Sequence, residues 1–150
     1  MRGPPAGVVA VAQAVLRVCR RSLEERGELD EALRIRREQL PVYGRLGDVR
    51  SRAVTMGHIA DLLEARGELD EALRIYRDEE LPVYERLGDV RSLLVGRTNL
   101  ALSLLVRASD GDREEADQLL QLALTEAERL HLPEAERIRA IRKRAGLQDG

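Results

Sequence analysis

The chain has no phenylalanine, no tryptophan and only three tyrosines, so aromatic residues make up 2 % of its 150 positions. Proteins that grip single-stranded nucleic acid stack its bases on aromatic faces, and this sequence has little to stack them on. Its one cysteine, Cys19, excludes an internal disulfide framework and fits a reducing compartment such as the cytoplasm. Cys19, His58 and His131 together fall short of the four clustered nitrogen or sulfur ligands of a tetrahedral zinc site. Charge of one sign is also missing: 25 Lys and Arg against 27 Asp and Glu leave a formal charge of −2, which marks no polyanionic partner.

Long apolar runs are absent as well. The opening MRGPPAGVVAVAQAVLRVCRR resembles a secretory signal only superficially, because Gln13 and Arg17 interrupt it and no clean small-x-small cleavage site follows. It is too short to span a bilayer. Val8, Val11, Val15 or Leu16, Cys19 and Leu23 recur every three or four residues, the stripe of an amphipathic helix belonging to the fold. No glycine-rich phosphate loop and no nucleophile elbow is present. Acidic pairs such as Glu24–Glu25 and Glu79–Glu80 are adjacent, so on a helix they diverge and make no catalytic dyad. Neither catalysis nor a metal or other cofactor is expected, and no membrane partner.

What the sequence does have is 35 % charged and 43 % hydrophobic residues, rich in Ala, Leu, Glu and Arg, the mixture of helical chains. It also contains itself. RGELDEALRI occurs at 26–35 and, unchanged, at 66–75. LPVYGRLGDVRS at 40–51 returns at 81–92 with one difference, Gly44 against Glu85. The first offset is 40 and the second 41, so one residue has been added between the blocks, in RREQ (36–39) against YRDEE (76–80). A fixed period of this size marks a stacked repeat.

Each unit reads as two helices. Ala53, Met56, Ile59 or Ala60, and Leu63 share one face; Leu69, Ala72, Leu73, Tyr76, Val83 or Tyr84, and Leu87 form the next stripe. Gly27, Gly47, Gly67 and Gly88 are placed as stops between them, where a left-handed residue is needed, and Asp89 is suited to cap the following helix. Leu100, Ala101 and Leu104 continue the pattern at an offset of 41, and Gly111 and Ala116 at 44, so the turn near 108–110 should be longer. Pro133 opens a last helix with the narrow stripe Ala135, Ile138, Ile141 and Ala145. Pro41 and Pro82 fall inside second helices, where each must kink the helix or make it break and restart. The extra residue just before Pro82 predicts a kink or a π-bulge near 78–82.

Ile59, Ala60, Leu63, Gly67, Leu69, Ala72 and Tyr76 resemble the signature of tetratricopeptide repeats, in the form of about forty residues found in kinesin-light-chain-type and many bacterial arrays. The resemblance covers about residues 13–132. It implies an all-α, right-handed solenoid of about three antiparallel hairpins, with units near 8–47, 48–88 and 89–132 and a capping helix at 133–146. Ala60 and Ala72 would sit where two helices approach most closely; their first-unit counterparts are Arg20 and Ala32, and Arg36 stands in place of an aromatic. Such proteins bind a peptide or protein in the groove lined by first helices. Carried over, the groove would present Ala14, Arg17, Val18 and Arg21, then Val54, Gly57, His58, Asp61 and Glu64, then Val95, Thr98, Asn99, Leu102 and Leu105. The clamp by which a subset grips chaperone C-termini would fall on Arg17, Arg21, His58, Val95 and Asn99, and is incomplete, so a chaperone tail is not the expected ligand.

Other features have plainer readings. His58 and Asp61, three apart, are expected to form a surface hydrogen bond rather than a pH switch. Arg137, Arg139, Arg142, Lys143 and Arg144 could meet phosphate, but Glu134 and Glu136 dilute them and last-turn cations favour a helix C-terminus without any ligand. The function expected is a non-catalytic interaction scaffold in the cytoplasm with no nucleic-acid partner. The alternatives are a regulatory segment of a bacterial signalling system and a module that associates with copies of itself.

Overall fold

Gly47, Gly67 and Gly88 lie in the left-handed region, at φ 66°, 84° and 66°. After Gly67 the chain closes the preceding helix end with Gly67 N–H to Glu64 O at 2.8 Å and Glu68 N–H to Leu63 O at 2.9 Å. Only glycine adopts this conformation at no cost. The computed structural model describes the backbone of residues 6–147 and the side chains of residue 10 and of 25–147. Six helices cover most of this stretch: α1 Ala6–Leu46, α2 Val49–Ala65, α3 over 69–87, α4 Val90–Arg107, α5 Asp112–Arg129 and α6 Glu134–Arg144. No strand occurs among the described residues. Turns of two to four residues join successive helices, and each helix packs on the next.

Aspartates start two of these helices. Asp48 accepts from Ser51 N–H at 3.0 Å, and its repeat partner Asp89 accepts from Ser92 N–H at 3.1 Å and from the Ser92 hydroxyl at 2.7 Å. Both carboxyls are held below their usual range, chiefly by the serine beside them. Asp89→Ala strips α4 of this cap and is expected to lower stability by about 1 kcal/mol in urea unfolding. The turn before α5 spans four residues against three before α3, longer by one where the offsets shift by three, and α4 takes up another residue with 18 against 17 in α2. It is pinned by Asp112, which accepts from Arg107 Nε and Nη2 at 2.8 and 2.7 Å and from Ser109 N–H at 3.0 Å.

The extra residue before Pro82 forms a π turn. Tyr76–Glu80 is π-helical between Leu69–Ile75 and Leu81–Leu87, and Leu81 N–H reaches back five residues to Tyr76 O. An added residue in a pure α-helix would rotate everything after it by roughly 100°. The π turn absorbs that rotation, so Val83 and Tyr84 still face the core. The same LPVY at 40–43 has no extra residue before it, and α1 runs across Pro41 without the break and restart that was one expectation there.

The hairpin expected in the first unit does not form. Gly27 lies inside α1, which continues for 41 residues, although the ten residues 26–35 match 66–75 letter for letter. The local sequence therefore does not decide between rod and turn. In the second unit Ala60 and Ala72 are both fully buried and let α2 and α3 close together. The first-unit counterpart of Ala60 is Arg20, too long and too polar for such an approach. A helical Gly27 costs about 1 kcal/mol relative to alanine, and the helix keeps every backbone bond through it.

The consequence for packing is large. α3 lies between α2 and α4, whereas the main partner of α1 is α2. Ile75 is 2 % exposed and its duplicate Ile35 is 46 % exposed; Val83 is 6 % exposed and Val42 is 42 % exposed. The core is otherwise aliphatic: Leu63, Leu73, Leu94, Leu104, Leu120 and Ile138 are buried, with Ala101, Ala116, Ala123 and Ala127 at the helix contacts. In α6, which Pro133 immediately precedes, Ala135 and Ile138 face inward, and two of the terminal cations are engaged: Arg139 donates to Glu128 at 2.7 Å and the buried Arg142 to Asp117 at 3.2 Å.

Candidate functional site

Helices α2 and α4 flank a cavity of about 330 Å³ that α3 also lines. Val54, Gly57, His58 and Asp61 line it from α2; Arg91, Ser92, Val95 and Asn99 from α4; Tyr76, Glu80 and Tyr84 from α3. Six groove positions expected from the resemblance thus converge here: Val54, Gly57, His58, Asp61, Val95 and Asn99.

Other expected groove residues lie elsewhere. Thr98 is buried and its hydroxyl donates to Leu94 O, one turn back, at 2.9 Å, so it offers nothing to a groove. Its position was misjudged because a threonine can satisfy itself within its own helix and then pack as an apolar residue. Glu64 is half-buried below the cavity, accepting from Ser103 Oγ at 2.8 Å, and the half-buried Leu102 is not among the lining residues. Arg17 and Arg21, with Ala14 and Val18, fall among side chains outside the described residues. His58 and Asp61 both line the cavity, but no hydrogen bond between them is formed; Asp61 accepts instead from the Tyr76 hydroxyl at 2.5 Å. Burial and this aspartate hold the Tyr76 hydroxyl well above its ordinary pKa.

Glu80 is the residue that sequence reasoning missed. It sits at the last position of the π turn and is 7 % exposed. Its carboxylate lies flat against Gly57: a methyl group there would stand 2.6 Å from Oε1 and 2.9 Å from Oε2. Gly96, on the opposing helix, makes room for Leu81, whose Cδ2 would be 2.5 Å from a methyl at that position, and lies 3.9 Å from Glu80 Oε1 by the same measure. Glu80 Oε2 is buried and finds no hydrogen-bond partner among the described residues. Burial pushes this carboxyl up to about 7; the Tyr84 hydroxyl pulls it down, and the charge of Asp61 pushes it further up. The available signals were the extra residue before Pro82 and two mid-helix glycines, Gly57 and Gly96, which cost stability unless something needs the space.

Neither Arg91 nor Arg50 neutralises Glu80. Arg91 Nε donates to Glu134 Oε1 at 2.8 Å, and Arg50 Nε to Asp89 Oδ2 at 3.1 Å. The cavity therefore presents two carboxylates, two phenol groups and an amide, an arrangement suited to holding a donor-rich or cationic group. Among the described residues no cluster of three or more His, Cys, Asp or Glu side chains is placed to hold a metal ion, and no helix is long and apolar enough to cross a membrane. No protein-family model matches the sequence, and neither the curated proteins nor the solved structures include a match.

Proposed function

We propose that the chain is a tetratricopeptide-type repeat protein, a right-handed solenoid that acts without catalysis as a scaffold for a peptide or protein in the cytoplasm. In this reading α2–α3 and α4–α5 are two complete units, the second half of α1 supplies the helix before them, and α6 is the cap. The observation that supports it is the cavity between α2 and α4, the first helices of consecutive units, at the groove positions the resemblance assigns. Terminal helices with one apolar stripe and charged outer faces are also what a stacked array requires at its end. Asn99→Arg fills the groove from the half-buried wall of α4 while leaving the core intact. Affinity capture from native lysate is expected to recover a partner with the wild type and lose it with Asn99→Arg; equal recovery by both would remove the groove from the proposal.

A second reading, self-association, is favoured by an uncovered apolar row. Ile35, Val42 and Leu46 recur along α1 at spacings of seven and four, with Val49 just beyond, and all four are exposed. Light scattering over a concentration series is expected to show mass rising with concentration. Ile35→Glu with Val42→Glu should hold the protein at monomer mass; a wild type that is monomeric throughout removes this reading.

A further inference from the structure

We propose that the cavity between α2 and α4 binds the cationic end of a lysine or arginine side chain presented by a partner peptide, with Glu80 as its buried anionic anchor. This rests on the groove reading above and names the chemistry of its occupant.

Three local departures from a standard helical unit converge on one carboxylate. The π turn at Tyr76–Glu80 sets Glu80 in the cavity lining, Gly57 gives it a bed free of any side chain, and Gly96 relieves the Leu81 beside it. Interior glycine and a π turn both weaken a helix. The duplicate segment, which runs as one unbroken helix, lacks the π turn. At the offset of 41, Gln39 stands in place of Glu80 with no extra residue before it in the continuous α1, and Thr55 of α2 stands in place of Gly96. What the second unit gains is an acceptor, Oε2, that is buried and unpartnered. A buried acceptor without a donor weakens the fold.

The charges around the cavity select the ligand. α2 contributes Asp61 and the exposed His58, and α3 contributes Tyr76 and Tyr84; Arg91 of α4, which also lines the cavity, is held by Glu134, and Arg50 of α2 by Asp89. An anion would meet two carboxylates. An apolar group would leave Oε2 without a donor. An ammonium or guanidinium would lie between the carboxylates of Glu80 and Asp61, which line the same cavity, and beside phenol rings. The volume, about 330 Å³, stands at the small end of ligand sites, which run from roughly 300 to 1,000 Å³, and suits one long side chain. A peptide backbone would then run along the groove between α2 and α4.

The test uses four probes on the whole chain: the blocked pentapeptides Ac-AAKAA-NH2, Ac-AARAA-NH2 and Ac-AA-norleucine-AA-NH2, and free n-butylamine. Binding is followed by the amide resonances of Gly57 and Gly96 and by the carboxyl carbon of Glu80. The lysine and arginine peptides are expected to give saturable shifts at both glycines and to move the Glu80 titration from near 7 toward the ordinary carboxylate range. Norleucine should give none, and butylamine should bind more weakly than the lysine peptide. Glu80→Gln should weaken the cationic peptides roughly tenfold or more, the loss of one charge-assisted contact. Equal shifts with norleucine, an unmoved Glu80 titration, or butylamine as tight as the peptide would each overturn the proposal. If lysate capture is lost with Asn99→Arg but kept with Glu80→Gln, the groove stands and the cationic anchor falls; if it survives both, the groove itself falls.

Discussion

Glu80→Gln is expected to make the protein more stable by about 3 kcal/mol at pH 8 and to change it little at pH 4. On folding, the Glu80 carboxyl moves from 4.5 to about 7 because it leaves water for the helix interface. Each tenfold change in proton affinity corresponds to 1.36 kcal/mol, so keeping Glu80 ionised in the fold costs about 3 kcal/mol. Below pH 4.5 both states hold the proton and nothing is lost. As pH rises from 4.5 to 7 the unfolded chain releases the proton first, so stability falls; above 7 the loss is complete. Glutamine never ionises and escapes it. Urea unfolding of both proteins at pH 4 and pH 8 measures the effect, and the difference between the two curves isolates Glu80 from the capping aspartates, whose lowered pKa values act in the opposite sense at lower pH. Equal stability differences at the two pH values would mean that Glu80 is solvated. A stabilising substitution that also weakens binding is the pattern expected of a functional group held at the expense of the fold.

The second large effect comes from one substitution made twice in the same decapeptide. Ile75→Ala removes a side chain buried between α2 and α4 and is expected to cost about 3 kcal/mol, within the range of roughly 2–5 for buried isoleucine. Ile35→Ala acts on a side chain that is nearly half exposed and is expected to cost less than about 1 kcal/mol. Every neighbour in sequence from 26 to 35 is the same as from 66 to 75. The next residues already differ, Arg36 against Tyr76, so a difference reports tertiary packing together with the π turn that follows Ile75. Equal costs would show that Ile35 is covered in solution, either because the first unit closes at Gly27 or because another copy packs on α1.

These two experiments mark where sequence reasoning succeeds and where it stops. Gly47, Gly67 and Gly88 were legible because a left-handed turn restricts the residue strongly, and Asp89 because a cap is a local hydrogen bond. The π turn was legible from the arithmetic of two offsets. Gly27 was not, since its turn depends on whether residue 20 or its counterpart 60 permits helix contact, a matter of packing far along the chain. Glu80 was hidden for a related reason: adjacent acidic residues look solvated, and only the glycines on two other helices make room to bury one of them. Thr98 looked available until its own helix satisfied it.

The π turn also bears on how such a protein changes. Units one and two differ between positions 36 and 40 by a single codon's worth of length, and past the π turn Leu81, Val83 and Tyr84 still face the core. A one-residue insertion in a helix ordinarily scrambles everything downstream. Here it is confined to a single loosened turn that places an acidic group at the cavity between α2 and α4. Deleting one residue from 76–80 would restore the length of the first copy, so a buried charge at this cavity can be acquired or shed in one genetic step.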